Sequence, residues 1–252
     1  MSRRPLKIRA DQLVFDLGLA QSRERAKRLI MAGRVFLLQG NQRIRVDKPG
    51  AQLSSDARLE VRGKERFVGR GGYKLLTAIE YFQIPVAGKT VLDVGASTGG
   101  FTDCLLQHGA AGVYALDVGY GLLDSSLRND ERVVVLERVN MRYAPLDLLP
   151  GPVDMVTVDV SFISLTKILP ACVGFLKPDG EIVALVKPQF ELGPGSTQKG
   201  VVRDQKLRQQ AVDMVVDFAV RGPGLVFIGS VPSKIKGPKG NQEYLVYFKN
   251  PS

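Results

Sequence analysis

The sequence predicts an α/β fold: a seven-stranded sheet with an antiparallel last strand and helices on both faces, preceded by a small N-terminal α+β unit. From residue 72 onward, strand and helix patterns alternate, which is typical of a largely parallel sheet. The last two predicted strands are joined by the stretch SKIKGPKGNQ, a connection too short for a crossover helix. They therefore form a hairpin, and the seventh strand runs antiparallel.

Charge separates the N-terminal unit from the rest of the chain. Residues 1–66 contain 16 Lys and Arg against 7 Asp and Glu, whereas residues 67–252 contain 19 against 18. A concentrated basic segment favours a polyanionic partner over a merely solvated surface. The charged, glycine-rich stretch RGKERFVGRGG follows it. We therefore predict a first domain over 1–62, a linker over 63–70 and a second domain over 71–252.

Composition narrows the class of protein. No run of 18 or more apolar residues appears, and the basic start lacks the apolar segment of a secretory signal. We therefore expect a cytoplasmic protein with no membrane partner. The two cysteines, Cys104 and Cys172, lie in apolar contexts and are expected to be buried thiols. With His108 as the single histidine, a metal site built from His or Cys is not expected, and we predict no metal.

Two short helices and a strand are predicted in the N-terminal unit. Gly18 ends the first helix, Ser22 caps a second helix over 23–32, and the strand covers 35–38. The second helix has basic residues on one side and apolar residues on the other. Several positively charged groups on one helix suit the phosphates of structured RNA. The residues predicted to bind RNA are Arg4, Arg9, Arg23, Arg25, Lys27, Arg28 and Arg34.

Seven strands are predicted in the second domain. Helical patterns lie between the first six of them, and the clearest cover 72–82, 99–108 and 204–220. The predicted strands are 90–94, 112–117, 133–137, 153–159, 181–187, 224–231 and 243–248.

A glycine-rich loop, GASTGG over 95–100, connects the first of these strands to a helix. Such a loop can hold a cofactor at a helix N-terminus, because glycine allows close approach of the backbone. It lacks the G-x-G-x-x-G spacing of dinucleotide sites and the Lys-Ser/Thr of phosphate-binding loops. Asp93, near the end of the preceding strand, would repel a pyrophosphate and attract an ammonium group, such as that of S-adenosylmethionine. Asp117 ends the next strand, where an acid binds ribose hydroxyls.

These features together predict S-adenosylmethionine as the cofactor. In addition, a seven-stranded sheet with a reversed last strand resembles the Rossmann-like fold of S-adenosylmethionine-dependent methyltransferases. The residues predicted to bind the cofactor are Asp93, Gly95, Ala96, Ser97, Gly99, Gly100, Asp117, Asn140 and Asp159.

Four charged residues are predicted to meet at the edge of the sheet where ligands bind. Asp159 and Lys187 end parallel strands, and so lie at the carboxyl edge. Glu243 begins the antiparallel seventh strand, whose start lies at the same edge, and Lys74 begins the helix that precedes the sheet. A surface ion pair would explain any one of these charges, but four charges on one edge favour a catalytic site.

Motifs along nearly the whole chain resemble those of a known family. SRERAKRLIMAGRVFL resembles the small RNA-binding domain first seen in ribosomal protein S-four. Other motifs resemble those of the TlyA-type ribosomal RNA 2'-O-methyltransferases, which are relatives of the FtsJ methyltransferases. These motifs are VGRGGYKL, LDVGASTGGFTDCLL, DVGYGLL, VTVDVSFISL, LVKPQFE, GVVRD and IKGPKGNQEYL. The resemblance implies 2'-O-methylation of a cytidine in large-subunit rRNA, in some members also one in small-subunit rRNA, with rRNA or a ribosomal subunit as partner. It also implies a catalytic tetrad of Lys74, Asp159, Lys187 and Glu243.

The tetrad suits ribose methylation, an in-line transfer in which positioning matters most. Lys187 can orient the hydroxyl and accept its proton if a neighbouring cation, such as Lys74, and partial burial favour the neutral amine. The carboxylates of Asp159 and Glu243 favour the charged ammonium instead. A charged Lys187 would orient an oxygen lone pair while water takes the proton. Two other functions stay open: a non-catalytic RNA-binding or ribosome-assembly factor, and a membrane-active haemolysin.

Overall fold

The chain forms two compact units, Met1–Glu65 and Arg66–Ser252, in a computed structural model. The boundary between the units falls inside the predicted linker. Each unit has its own apolar core. The residues that the structure describes are 6–20, 22–63, 66–193 and 195–251.

Two helices and five short strands make up the described part of the N-terminal unit. They are β1 (Lys7–Arg9), α1 (Ala10–Asp16), α2 (Arg23–Met31), β2 (Val35–Gln39), β3 (Gln42–Arg45), β4 (Gln52–Ser54) and β5 (Arg58–Val61). β1 pairs with β4, and β2 lies between β3 and β5 in an antiparallel sheet. The sequence predicts both helices and β2 but not the other four strands. Those are only three or four residues long, so the polar–apolar alternation in segments such as RLEV is too short to distinguish them from a loop.

The ends of both N-terminal helices follow from local chemistry, as predicted. The Ser22 hydroxyl accepts a hydrogen bond of 3.1 Å from the backbone N–H of Arg25 and caps α2. α1 ends just before Gly18, whose φ of 69° is a left-handed conformation that glycine adopts easily. The buried face of α2 consists of Ala26, Leu29 and Ile30.

The second unit is built on one sheet of seven strands within its described residues. Its elements are α3 (Gly71–Phe82), β6 (Thr90–Val94), α4 (Gly100–Gln107), β7 (Gly112–Asp117), α5 (Ser125–Arg128), β8 (Val133–Glu137), β9 (Val153–Val158), α6 (Leu169–Val173), β10 (Leu176–Val186), α7 (Pro188–Glu191), α8 (Gln205–Arg221), β11 (Val226–Pro232) and β12 (Tyr244–Lys249). The strand order is β11-β12-β10-β9-β6-β7-β8. β12 runs antiparallel to both of its neighbours, and all other neighbouring pairs are parallel. The predicted sheet with a reversed last strand is thus confirmed.

Both faces of this sheet are buried under helices. Side chains alternate between the faces along each strand, so that Val91 and Val183 join one apolar cluster while Leu92 and Ala184 join the other. α3 and α4 contribute to the first cluster, and α6 and α8 contribute to the second. Because the central strands are buried on both faces, a ligand can reach them at the strand ends.

Two predictions about this sheet are wrong in detail. The connection from β8 to β9, all of it described, contains two 3-10 turns, Met141–Tyr143 and Leu146–Leu148, and no α-helix. Pro145 and Pro150 explain this, because proline interrupts helical hydrogen bonding. β10 begins at Leu176 rather than at residue 181, and its pairing with β9 shifts register in between. Tertiary pairing thus extends the strand across a Pro-Asp-Gly sequence that locally favours a turn.

Candidate functional site

Two cavities open at the edge of the sheet where the parallel strands end. The larger cavity has a volume of about 570 Å³ and the smaller cavity a volume of about 430 Å³. Both volumes are within the range of small-molecule sites. The residues that line both cavities are Gly95, Ser97, Asp159, Ser161 and Phe162. The two cavities are therefore neighbouring compartments of one crevice.

Two lysine–carboxylate ion pairs lie in the larger cavity. The Nζ atom of Lys74 is 2.6 Å from Oε2 of Glu243, and the Nζ atom of Lys187 is 2.5 Å from Oδ1 of Asp159. Lys187 also donates a hydrogen bond of 2.9 Å to Oγ of Ser161. Both lysine side chains are less than one-tenth exposed, so water screens these pairs weakly. The structure thus brings the four predicted residues together, with each lysine beside its own carboxylate.

The topology of the sheet explains this convergence. Asp159 directly follows β9, and Lys187 directly follows β10 and precedes α7. Glu243 directly precedes the antiparallel β12, and Lys74 lies in the first turn of α3. Asp159, Lys187 and Glu243 lie one residue outside their strands rather than at the predicted terminal positions. Their side chains are thereby held by the rigid sheet but project beyond its edge.

The Glu243 carboxylate is fully buried, and the Lys74 ammonium, 2.6 Å from Oε2, is the only cation paired with it among the described residues. The Lys74 ammonium therefore compensates its charge, and removing that ammonium would leave an uncompensated buried carboxylate. Gly237 lies against the same carboxylate, because a Cβ atom at Gly237 would be only 1.9 Å from Oε1. A side chain at position 237 would therefore have to displace the carboxylate, and glycine leaves it the space that it occupies.

The glycine-rich loop forms a wall that both cavities share. Gly95 has a φ of 83°, and a Cβ atom there would be 2.6 Å from the carbonyl oxygen of Asp159. Glycine is therefore needed for conformation and for space. Ser97 also has a positive φ, 49°, and its backbone N–H donates a hydrogen bond to Asp117. The predicted cofactor residues that line the larger cavity are Gly95, Ala96, Ser97, Gly100 and Asp159.

Asp117 and Asn140, two other predicted cofactor residues, line the smaller cavity. The Asp117 carboxylate accepts hydrogen bonds from the backbone N–H groups of Ser97 at 2.8 Å and Gly119 at 2.7 Å, which fix its position. Most of the remaining wall is apolar: Leu116, Val118, Leu122, Val139, Met141, Val160, Ile163 and Ile168. An apolar slot with a few polar groups suits a nucleoside, whose base is flat and whose ribose carries hydroxyls.

Asp93 and Gly99 do not line either cavity. The Asp93 carboxylate is buried and accepts hydrogen bonds from the hydroxyls of Thr102 at 2.6 Å and Thr157 at 2.9 Å. Burial raises the pKa of Asp93 to about 6, against the effect of those two hydrogen bonds. Gly99 packs closely against Leu127 instead of a cavity. A direct contact of Asp93 with a cofactor ammonium does not fit this burial.

Several residues that line the larger cavity were not predicted, and they lie partly in loops and partly in the first turns of helices. Ser161 and Phe162 follow Asp159 so closely that their distance from the strand end is a usable signal. Lys239 and Asn241 lie in the connection between β11 and β12, and nothing in the sequence by itself assigns them to a cavity. The other residues of this kind in the larger cavity are Gly71, Thr98, Phe101, Gln189, Phe190, Thr197 and Gly200.

Basic side chains of the N-terminal unit are held by acids within the same unit. The buried Asp11 carboxylate binds two of them: Nε of Arg9 is 2.9 Å from Oδ1, and Nη2 of Arg23 is 3.3 Å from Oδ2. The hydrogen bond from Arg9, more than any other contact, holds the pKa of Asp11 below its usual range. Lys27 pairs with Glu24 at 2.9 Å. Arg9 and Arg23 stay about half exposed, so Asp11 holds two guanidinium groups side by side at the surface.

The remaining basic residues predicted to bind RNA are Arg4, Arg25, Arg28 and Arg34. Arg28 is exposed, Arg25 and Arg34 are partly buried, and Arg34 donates a hydrogen bond of 3.0 Å to the carbonyl oxygen of Gly63. Arg4 lies outside the described residues. That these side chains contact RNA stays a prediction.

Neither a membrane-spanning helix nor a cluster of metal-ligating side chains is present in the part of the chain that the structure describes. No helix there is long and apolar enough to cross a membrane, and no group of three or more His, Cys, Asp or Glu side chains could hold a metal ion. Cys104 and Cys172 are buried free thiols, as predicted, and burial raises the pKa of Cys172 to about 12.

Two sequence families match the chain. The family described as FtsJ-like methyltransferase matches residues 67–250, and the one described as S4 domain matches residues 8–37. The protein named 16S/23S rRNA (cytidine-2'-O)-methyltransferase TlyA, from Mycobacterium tuberculosis, is 45% identical over 246 residues, which is 96% of this chain and 90% of that protein. The 23S rRNA (cytidine-2'-O)-methyltransferase TlyA of Campylobacter jejuni is 36% identical over 186 residues, which is 73% of this chain and 71% of that protein.

A solved structure resembles the chain over almost its full length. It is described as a candidate hemolysin from Streptococcus thermophilus, and it covers 99% of this chain and 90% of its own chain with a TM-score of 0.76 at 42% identity.

Proposed function

The chain belongs to the FtsJ-like methyltransferase family, and on that premise we propose that it methylates the 2'-hydroxyl of a cytidine in ribosomal RNA, with S-adenosylmethionine as methyl donor. The observation that carries the proposal is the pair of lysine–carboxylate ion pairs in the larger cavity, beside the glycine-rich loop. The names of the two TlyA relatives support cytidine and ribosomal RNA as the substrate.

The residues present fit S-adenosylmethionine. Asp117 is held in the smaller cavity where it can accept hydrogen bonds from ribose hydroxyls, and Asn140 can bind the base beside the apolar wall. Gly95, which has no room for a Cβ atom, lets the backbone approach the middle of the cofactor. When bound, the cofactor supplies an electrophilic methyl group on a sulfonium. The larger cavity then receives the ribose of the RNA nucleotide, because this cavity adjoins the smaller one at Gly95 and Ser97.

Lys187 is the residue that we propose to act on the ribose hydroxyl. Asp159 and Ser161 occupy two sides of its Nζ atom, which leaves one further position toward the cavity. As an ammonium, Lys187 would donate its remaining N–H to the ribose oxygen and turn a lone pair toward the methyl group, while water takes the proton. As a neutral amine, it would accept the hydroxyl proton itself. In both cases the oxygen loses its proton and gains the methyl group.

Lys74 and Glu243 are proposed as positioning residues beside this reaction. Their ion pair is more deeply buried than that of Lys187 and Asp159, and it closes the cavity next to α3. A fixed positive charge near the ribose oxygen stabilises the negative charge that develops there during transfer. The carboxylates balance the two ammonium groups, so the cavity can hold a neutral ribose without a large excess of charge.

The N-terminal unit is proposed to bind ribosomal RNA. The match to the S4 domain and the basic side chains on and around α2 support this role. The proposed domain limits are 1–62 for RNA binding and 71–252 for methyl transfer, joined by a linker over 63–70. Large-subunit rRNA is the proposed target, since the names of both TlyA relatives include 23S rRNA.

Transfer of labelled methyl from S-adenosylmethionine to purified, unmodified ribosomal subunits tests the proposal. Wild type is expected to label rRNA at one 2'-O position of a cytidine, which mapping of the modified nucleotide identifies. Lys187→Ala is expected to lower the rate by about 10²–10⁴-fold, the usual contribution of a positioned proton-transfer group, while the cofactor Kd stays within about twofold. Lys177→Ala is the matched control, because Lys177 also lies on β10 and pairs with Asp154 at 2.7 Å, but at the opposite end of the strand.

Normal turnover by Lys187→Ala would remove that residue from the mechanism. No label in any rRNA, despite measured cofactor binding, would overturn the enzymatic function in favour of a non-catalytic RNA-binding factor. Lys187→Arg and the pH profile separate the two roles of Lys187. Arginine keeps N–H donors but does not release its proton in proteins, so activity retained by Lys187→Arg would show an orienting role. A rate that increases tenfold per pH unit in wild type, and is lost in Lys187→Arg, would show a base.

A further inference from the structure

We propose that Lys239 binds a backbone phosphate of the RNA strand at the nucleotide being methylated. Lys239 lines the larger cavity together with Lys74 and Lys187. This inference rests on the proposed function, because it takes the substrate to be RNA. It adds a phosphate contact in the methyltransferase domain itself, separate from the basic residues of the N-terminal unit.

Charge balance in the cavity is the first observation. Three lysines and two carboxylates line it, and Lys74 and Lys187 are each paired with a carboxylate. Among the described residues, no Asp or Glu oxygen lies within 4.0 Å of the Lys239 ammonium. Lys239 therefore provides the net positive charge of the cavity. An anion that enters the cavity could bind the Lys239 ammonium without displacing a carboxylate.

The backbone around Lys239 is fixed, which is the second observation. Lys239 has a left-handed φ of 56° in the turn Pro238–Gly240, and the backbone N–H of Gly237 donates to the carbonyl oxygen of Asn241 at 2.8 Å. The buried Asn241 side chain then joins two loops. Its Nδ2 donates to the carbonyl oxygen of Gly200 at 2.8 Å, and its Oδ1 accepts from the N–H of Val202 at 3.0 Å.

The Lys239 side chain lies across Gly200 as a result. A Cβ atom at Gly200 would be 3.3 Å from the Lys239 Nζ atom and 3.5 Å from its Cδ atom. The absence of a side chain at Gly200 therefore provides the space that the lysine occupies. Because one end of the side chain is fixed by the turn and its length rests on a neighbouring loop, less side-chain entropy is lost when the ammonium binds a ligand.

An RNA phosphate fits this position better than the cofactor does. Lys239 lines only the larger cavity, whereas the smaller cavity is the one that contains Asp117 and Asn140. Lys239 is also exposed to solvent, from which a long RNA strand must enter. The 3'-phosphate is attached to C3', the ribose carbon next to the one that bears the 2'-hydroxyl. A nucleotide whose 2'-hydroxyl reaches Lys187 therefore brings a phosphate with it. A compact ammonium is a suitable group for a single phosphate.

Lys239→Gln tests the proposal in the full-length protein, with unmodified rRNA or ribosomal subunits as the probe. We expect the Kd for RNA to rise by about tenfold, the usual effect of one lost hydrogen bond to a charged group. The slope of log K against log salt should decrease by about 0.7–0.9, the value for one lost phosphate contact. The loss should appear in KM more than in kcat, and Lys239→Arg should restore most of the affinity.

Lys249→Gln is the matched control, because Lys249 is exposed at the end of the antiparallel β12 and thus at the opposite edge of the sheet. An RNA affinity and salt slope of Lys239→Gln equal to those of Lys249→Gln would overturn the proposal. So would a weaker Kd for S-adenosylmethionine with unchanged RNA binding, since Lys239 would then serve the cofactor. The binding assay does not need turnover, so wild type that binds RNA but transfers no methyl would refute the proposed function and leave the Lys239 test in force.

Discussion

Replacing Asp93 with asparagine is expected to change how the stability of the protein depends on pH. Asp93 is buried beside the glycine-rich loop, and burial raises its pKa from 3.8 to about 6. Below about pH 4 the carboxyl group carries its proton in the folded and the unfolded chain alike. Between about pH 4 and 6 the folded chain keeps a proton that the unfolded chain has lost, so the contribution of Asp93 to stability falls as the pH rises. Above about pH 6 Asp93 is ionised in both the folded and the unfolded chain, and the free-energy cost of burying its charge no longer changes with pH.

The size of the effect follows from the two pKa values. They differ by about two units at ~1.4 kcal/mol per unit, so ionised Asp93 costs about 3 kcal/mol of unfolding free energy at neutral pH. Asparagine carries no charge, and its amide can still form hydrogen bonds with the hydroxyls of Thr102 and Thr157. The stability of Asp93→Asn relative to wild type is therefore expected to increase by about 3 kcal/mol from about pH 4 to pH 7.

Urea unfolding followed by circular dichroism measures this difference at each pH, since the chain contains no tryptophan for fluorescence. Comparing the two proteins at every pH cancels the titration of all other groups. Asp213→Asn, on the exposed face of α8, is the control that removes a carboxyl group from the surface instead of the core. A flat difference for Asp93→Asn would refute the reasoning, because it would mean that burial does not disfavour the charged form of Asp93.

Two further perturbations test the site and the N-terminal unit. Gly237→Ala would bring a Cβ atom to 1.9 Å from Oε1 of Glu243 and push the carboxylate away from Lys74. We expect the rate of methyl transfer to fall by about 10²-fold, the cost of a misplacement near 1 Å, while cofactor affinity is retained. Gly151→Ala is the control, because no atom lies within 4 Å of a Cβ atom at that position. Equal activity of the two variants would contradict the role given to Glu243. Neutralising the basic residues of α2 is expected to weaken RNA binding and to flatten its salt dependence, while an unchanged slope would mean that α2 faces another partner. The residues to replace by glutamine are Arg23, Arg25, Lys27 and Arg28.

Much of the fold could be predicted because strand ends and turns have strong local signals. The alternation of strands and helices from residue 72, and the short connection before Glu243, predict the sheet and its reversed last strand. The four short strands of the N-terminal unit could not be predicted, because three or four residues are too few for polar–apolar alternation to distinguish a strand from a loop. β10 was predicted too short, since its first residues are held in the sheet by pairing with β9 rather than by local preference.

Part of the candidate site could likewise be predicted from the sequence, and part could not. Lys74, Asp159, Lys187 and Glu243 could be brought together from the sequence, because carboxyl ends of parallel strands and the start of an antiparallel strand share one edge. The pairing of each lysine with a particular carboxylate could not be predicted, since that depends on distances between separate chain segments. Asp93 shows the limit of a positional rule: its place near a strand end is right, but its side chain faces Thr102 and Thr157 in the core.

The sequence by itself determined the class of the fold, the glycine-rich loop and the edge at which the charged residues meet, because each depends on periodicity or on the direction of one strand. The tertiary structure alone decided which groups touch. It buried Asp93, laid Gly237 against Glu243, and brought Lys239 across Gly200 into a cavity whose other lysines are neutralised. These contacts join residues far apart in the chain, and their geometry is fixed by loop conformations and packing that no local pattern encodes.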